Sequence, residues 1–254
     1  MAHKRINPGL GANMVNVWWV PLDAPPEQEA EVRRLLCAEE EARARCLARP
    51  VDRRRFAVSH AALRSILGHT LGRAPADLRF DAEAYGKPRL VDLPLHFTLS
   101  HSWEWAVVAV ADRSLGVDLE RLAPLPEMES LIDRFFSPRE RALLGALPAA
   151  ERPRGFYRCW CGKEAYLKAL GLGLSMDTTS FSIYPSGDPS APGLLDSPAS
   201  EKECRRWRLH SLDAPRGYVA ALAIEEPRPS IAEHRFSFAK YGSCPAISSA
   251  PFPI

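Results

Sequence analysis

The sequence predicts an α+β fold, and three observations carry that prediction. Continuous apolar runs of strand length occur at residues 15–20 and 106–111. Helical periodicity occupies residues 53–71 and 156–174. A chain of 254 residues can bury a sizeable core, in one large domain or in two halves.

The first strand, 15–20, is ended by Pro21, and Pro25-Pro26 marks a turn. Residues 27–36 and 39–47 are helical patterns mixing acids and arginines, the signature of solvated faces. In the next helix Phe56, Ala57, His60, Leu63, Ile66 and Leu67 recur at helical spacing behind Arg53-Arg54-Arg55. Arginines at a helix start oppose the macrodipole. They read either as an exposed basic turn or as a site awaiting an anion, which Arg binds through its planar fork.

Residues 78–80 read as a short strand, and Tyr85-Gly86-Lys87-Pro88 is a turn that holds one lysine between two conformationally special residues. Residues 96–100 form a strand leading into Ser100-His101-Ser102, at a strand end where loops carry function. Adjacency does not make Ser and His a catalytic pair, because nucleophile and base must meet in space. In 115–120, Leu-Gly-Val-Asp-Leu-Glu, side chains alternate, so Asp118 and Glu120 share one face. Carboxylates two residues apart on a strand suit Mg²⁺, and they equally suit a strand running into solvent.

Ser137, Pro138 and Glu140 form a capping box with Pro at N1, which accounts for Glu140 without any further role. The helix that follows reaches about residue 147. The central helix carries Phe156, Cys159, Trp160, Leu167 and Leu170 on an apolar stripe, with Gly171 at the C-cap position. Trp160, Glu164 and Lys168 lie one turn apart on one side. Gly162 inside this helix marks a close approach. Residues 181–184, 207–211 and 218–224 read as strands, the last two antiparallel. Residues 185–200 form a Pro/Ser/Gly-rich loop.

A net charge of +2 argues against broad nucleic-acid binding while leaving room for a local basic pocket. The six cysteines form no C-x-x-C pair and have no histidine cluster beside them, so neither zinc nor a disulfide framework is expected. Residues 1–13 lack a signal-peptide core, and no apolar stretch reaches membrane length. A cytoplasmic protein without a membrane partner is the expectation.

The inventory of acids for a divalent ion and bases for several phosphates points to metal-assisted phosphate chemistry. On these residues the chain resembles the 4'-phosphopantetheinyl transferases of the Sfp type. Gly116-Val117-Asp118-Leu119-Glu120 followed by Trp160-Cys161-Gly162-Lys163-Glu164-Ala165-Tyr166-Leu167-Lys168 is similar to the family signature. Tyr85-Gly86-Lys87-Pro88, residues 97–102 (Phe-Thr-Leu-Ser-His-Ser) and 135–140 (Phe-Phe-Ser-Pro-Arg-Glu) resemble further family elements, in the same order. The similarity spans residues 15–224.

The resemblance implies transfer of the 4'-phosphopantetheine arm of coenzyme A to a serine of an apo acyl or peptidyl carrier protein, with release of adenosine 3',5'-bisphosphate. It implies two pseudo-twofold-related α/β halves with the active site between them. The expected segments are a flexible N-terminus (1–14), halves 15–112 and 113–226, and a Pro/Ser-rich tail (227–254). Asp118, Glu120 and Glu164 match the ligands of Mg²⁺, for which Mn²⁺ can substitute. Arg55, Lys87, Ser100 and His101 match the coenzyme A contacts. Lys168 matches the lysine that neutralises phosphate charge, and Glu140 or Glu164 matches the base. The role of Lys163 is open. Arg139 and Arg141 suit an acidic carrier protein, and a monomer is expected. Two other readings stay open: a non-catalytic binder of coenzyme A or carrier protein, and a metal phosphohydrolase using water as acceptor.

Overall fold

The computed structural model describes residues 13–23, 28–91, 93–184, 194–196, 201–225 and 229–241. In chain order it contains β1 (Met14–Pro21), α1 (Glu29–Arg33), α2 (Ala38–Cys46), α3 (Pro50–Leu71), β2 (Phe80–Ala82), β3 (Pro88–Leu90), β4 (His96–Ser102), β5 (Trp105–Ala111) and β6 (Leu115–Arg121). There follow α4 (Met128–Phe135), α5 (Pro138–Gly145), α6 (Arg152–Leu170), β7 (Ser182–Ile183), β8 (Leu194–Asp196), α7 (Glu201–Arg206), β9 (Arg208–Ser211), β10 (Tyr218–Ile224), β11 (Ser230–Arg235) and α8 (Phe238–Tyr241). The mixed α+β class expected from the sequence is the one observed.

These elements form two compact units. One comprises Val20–Arg79 with residues 235–241, the other residues 13–19 with Phe80–His234. The boundary expected at 112/113 falls inside the second unit, because β4 and β5 belong with β6. The expected C-terminal tail also begins too early. Residues 230–235 are strand β11, hydrogen-bonded beside β1. Residues 1–12 and 242–254, which hold most of the two expected loose ends, lie outside the described residues.

In the first unit α3 starts at Pro50, earlier than its apolar pattern, with Asp52 in the first turn where the macrodipole favours an anion. The arginine run therefore sits past the helix start. Arg53 donates to the carbonyls of Leu47 at 2.7 Å and Ala48 at 3.2 Å, closing the end of α2. Arg64, 2 % exposed, donates to Glu40 Oε2 at 2.6 Å and to the carbonyls of Pro75 and Leu78, so its buried charge is paired and hydrogen-bonded.

The second unit holds a four-stranded sheet, β11-β1-β5-β4, and a three-stranded sheet, β6-β10-β9. Alternation along the strands builds two cores. Leu115, Val117 and Leu119 of β6 and Ala220, Leu222 and Ile224 of β10 pack against Val15, Val17, Val107 and Ala109 of β1 and β5. Val219, Ala221 and Ala223, on the opposite face of β10, pack with Cys161 and Ala165 of α6. β9 and β10 pair antiparallel, as expected. Residues 194–196, assigned to a loop, pair with β7, while 185–193 and 197–200 lie outside the described residues. Helix α4 was not anticipated, although Met128, Leu131, Ile132 and Phe135 carry helical spacing.

Candidate active site

The site is set by a backbone contact. A Cβ at Gly116 would lie 2.1 Å from the Ala165 carbonyl oxygen and 2.4 Å from the Ala169 nitrogen, so β6 meets the α6 main chain only because this residue is glycine. The same strand face carries Asp118 and Glu120, and the apposed turns of α6 carry Glu164 and Lys168. Gly162 does similar work on another side of α6, where a Cβ would sit 2.6 Å from Ile183 Cγ2. The helix ends at Gly171, in the left-handed conformation with φ 69°.

Asp118 is buried at 4 % exposure. Its Oδ1 accepts from Lys168 Nζ at 2.6 Å and from Ser100 Oγ at 2.8 Å, and Lys168 Nζ also donates to Ser100 Oγ at 3.0 Å. Asp118 Oδ2 is buried without a partner among the described residues. Glu120 Oε2 accepts from Ser102 Oγ at 3.0 Å. Burial and the neighbouring Asp118 charge push the Glu120 carboxyl up to about 7, against the Ser102 hydrogen bond and the Lys168 ammonium. Burial, then Asp118, likewise raise the Glu164 carboxyl, with Lys168 opposing. Three acids thus share one field and one cation.

Glu140 is fully buried, and its carboxylate is filled. Oε2 accepts from Ser137 N at 2.7 Å and pairs with Lys163 Nζ at 2.8 Å, and Oε1 accepts from Ile183 N at 2.7 Å. The capping box read from the sequence is present. A carboxylate so enclosed has the partners of a structural anchor, and Glu164 is the more accessible of the two candidate bases. Lys163, whose role the sequence left open, is its partner. It uses its remaining donors on the carbonyls of Thr178 at 2.7 Å and Phe181 at 2.9 Å. Lys87 Nζ donates to the carbonyls of Leu115 and Ala169, both at 3.1 Å, so it caps the C-terminal end of α6, where a cation complements the dipole. Burial lowers its pKa, with Glu83 opposing. His101 is exposed on β4, on the face opposite Ser100. Arg55 lies in the first unit, 3.3 Å from Asp23. Ser102 escaped the sequence reading as a site residue, though its two-residue spacing from Ser100 on a strand was the available signal.

Among the described residues no three acid, histidine or cysteine side chains converge on one point ready for an ion. The chemistry nevertheless fits. The donors are hard oxygens, as Mg²⁺ requires. Lys168 pairs with Oδ1 of Asp118, while the buried Oδ2 has no hydrogen-bond partner among the described residues and is open to a further cation. Burial first, and Asp118 second, raise the Glu120 and Glu164 carboxyls, and a bound cation would favour their ionised forms.

Comparison with known proteins shows the family. The profile of the 4'-phosphopantetheinyl transferase superfamily matches residues 114–223, the segment that carries β6, α6 and β10. The chain is 38% identical over 227 residues to the 4'-phosphopantetheinyl transferase HetI of Nostoc sp., covering 87% of this chain and 92% of that protein. It is 30% identical over 223 residues to the 4'-phosphopantetheinyl transferase Sfp of Bacillus subtilis, covering 84% and 93% respectively. With β6 and α6 carrying the acids and the lysine, and with relatives matched over nearly their whole length, the chain belongs to the 4'-phosphopantetheinyl transferase superfamily.

Proposed function

We propose that this transferase moves the 4'-phosphopantetheine group of coenzyme A to a serine of an apo acyl or peptidyl carrier protein and releases adenosine 3',5'-bisphosphate. The observation that supports it best is the Asp118–Lys168–Ser100 cluster with its orphaned buried oxygen. Asp118, Glu120 and Glu164 would hold Mg²⁺ or Mn²⁺, and the bound ion supplies charge neutralisation for the pyrophosphate.

The chain's own residues account for the rest. Lys168, a third exposed, offers its ammonium to phosphate oxygen whose charge rises as the bond breaks. Glu164 takes the proton of the carrier serine, directly or through one water. The serine oxygen bonds to the β-phosphorus. The bond from that phosphorus to the bridging oxygen breaks, and the electron pair leaves on the adenosine-bearing phosphate. Arg55, Lys87 and His101 are assigned to coenzyme A by family likeness, and Ser100 serves the site through Asp118 and Lys168. A cytoplasmic monomer, acting without membrane or nucleic acid, completes the proposal. Among the described residues no helix is long and apolar enough to cross a membrane.

Intact mass of an apo carrier protein incubated with the enzyme, coenzyme A and Mg²⁺ tests it. The expected result is a gain of one phosphopantetheine, lost on chelation and absent with Asp118→Ala. Transfer persisting in excess chelator removes the metal from the proposal. No gain across acyl and peptidyl carriers, with coenzyme A still bound, favours a non-catalytic binder.

A further inference from the structure

β4 and β6 are edge strands of different sheets, yet they are joined by a ladder of side-chain hydroxyls. Thr98, Ser100 and Ser102 stand two residues apart on one face of β4. Thr98 Oγ1 accepts from Val117 N at 3.4 Å, and Ser100 Oγ donates to Asp118 Oδ1 at 2.8 Å. Ser102 Oγ donates to Glu120 Oε2 at 3.0 Å and accepts from Arg121 N at 3.2 Å. The lowest rung satisfies backbone alone. The upper two reach the carboxylates.

Ser102 spends both halves of its hydroxyl on this junction. It fixes the main chain at Arg121 through its lone pair and the Glu120 side chain through its proton. A carboxylate accepting one hydrogen bond keeps lone pairs for a cation, and its direction is then set by the donor. Glu120 is the most exposed of the acids on this strand, so without the donor its side chain would sample several rotamers.

We propose that Ser102 is a positioning residue, holding Glu120 by one oxygen on the Asp118 side of β6 and so restricting the rotamers from which its other oxygen reaches a divalent ion. The ladder is then two devices in one. Thr98 secures the strand junction, and Ser102 orients a ligand from outside the coordination shell. Loss of such a partner weakens metal binding about 10–100-fold in known sites. The proposal rests on the metal reading above, and its test separates the two.

Binding of Mn²⁺ to the full-length protein with coenzyme A and without carrier is followed through the EPR signal of the free ion. Ser102→Ala should raise the apparent Kd about tenfold. Ser102→Thr, which keeps the hydroxyl, should return it to within about twofold. Thr98→Ala should lower the unfolding midpoint and leave the Kd unchanged. A Kd for Ser102→Ala equal to wild type, or an equal rise for Thr98→Ala, overturns the positioning role while the metal site stands. No Mn²⁺ uptake by wild type overturns the metal reading and this proposal with it.

Discussion

Replacing Glu140 by glutamine separates a structural carboxylate from a catalytic one. Glu140 is fully buried, and the Lys163 side chain is only 3 % exposed. Glutamine keeps the shape but turns one acceptor oxygen into an N–H₂ group. That group must then face N–H donors from Ser137 and Lys163, or from Ile183. The Lys163 ammonium would be left buried without its counter-charge, which costs about 3–5 kcal/mol. Against a typical total of about 5–15 kcal/mol this is a large share. It should lower Tm by roughly 6–20 °C at about 2–4 °C per kcal/mol. The assay is thermal or urea unfolding alongside transfer at a temperature where the variant is folded. Turnover should stay within about tenfold of wild type, because a lost general base costs about 10²–10⁴-fold. The double variant Glu140→Gln/Lys163→Met should recover part of the loss, because it removes the stranded charge. A variant as stable as wild type but a hundredfold slower would refute the reasoning and return Glu140 to the chemistry.

Gly116→Ala should destabilise by about 1–3 kcal/mol or more and cut transfer severely, because the new methyl meets helix backbone that cannot yield. Gly162→Ala meets only side-chain carbon first and regains about 1 kcal/mol of helix propensity, so its unfolding midpoint should fall much less. For pH, the sign follows from Glu120, whose folded pKa of about 7 lies above its unfolded value. The folded state binds more protons between about pH 4.5 and 7, so this contribution is greatest below the unfolded pKa and is lost as pH rises through the folded one. Melts of the metal-free protein should show that loss, and the Mg²⁺-induced rise in Tm should be larger at pH 8 than at pH 5.5. Lys87→Met should lower the unfolding midpoint by removing the cap on α6, at about 1–3 kcal/mol. Unchanged stability would refute the capping role, and a higher KM for coenzyme A would support the assignment of the ammonium to the phosphates.

Much of this was legible because it is periodic. Alternation in β6 put Asp118 and Glu120 on one face, and the i, i+4 rule put Glu164 beside Lys168. Gly171 ended α6 where the sequence placed it. What was not legible depends on contacts distant in sequence. Nothing local shows that Ser102 meets Glu120, or that residues 230–235 pair beside β1. The start of α3 was misread because Pro50 and Asp52 precede its apolar pattern.

The two lysines of the signature helix show the limit most sharply. Lys163 and Lys168 are five residues apart, roughly 140° around the helix at about 100° per residue, so they cannot serve one place. Position alone does not say which of them faces the chemistry. Their surroundings do. Lys163 spends its donors on Glu140 and two main-chain carbonyls in a closed interior. Lys168 is a third exposed and faces an acid with an oxygen to spare. Two identical side chains on one helix therefore divide into a structural cation and a site cation. The division is made by Glu140, whose capping box already accounted for it in the sequence. Both lysines are ion-paired, so the difference lies in access: Lys163 is enclosed with Glu140, whereas Lys168, paired with Asp118, is a third exposed, and the proposed reaction therefore offers Lys168 to the phosphate.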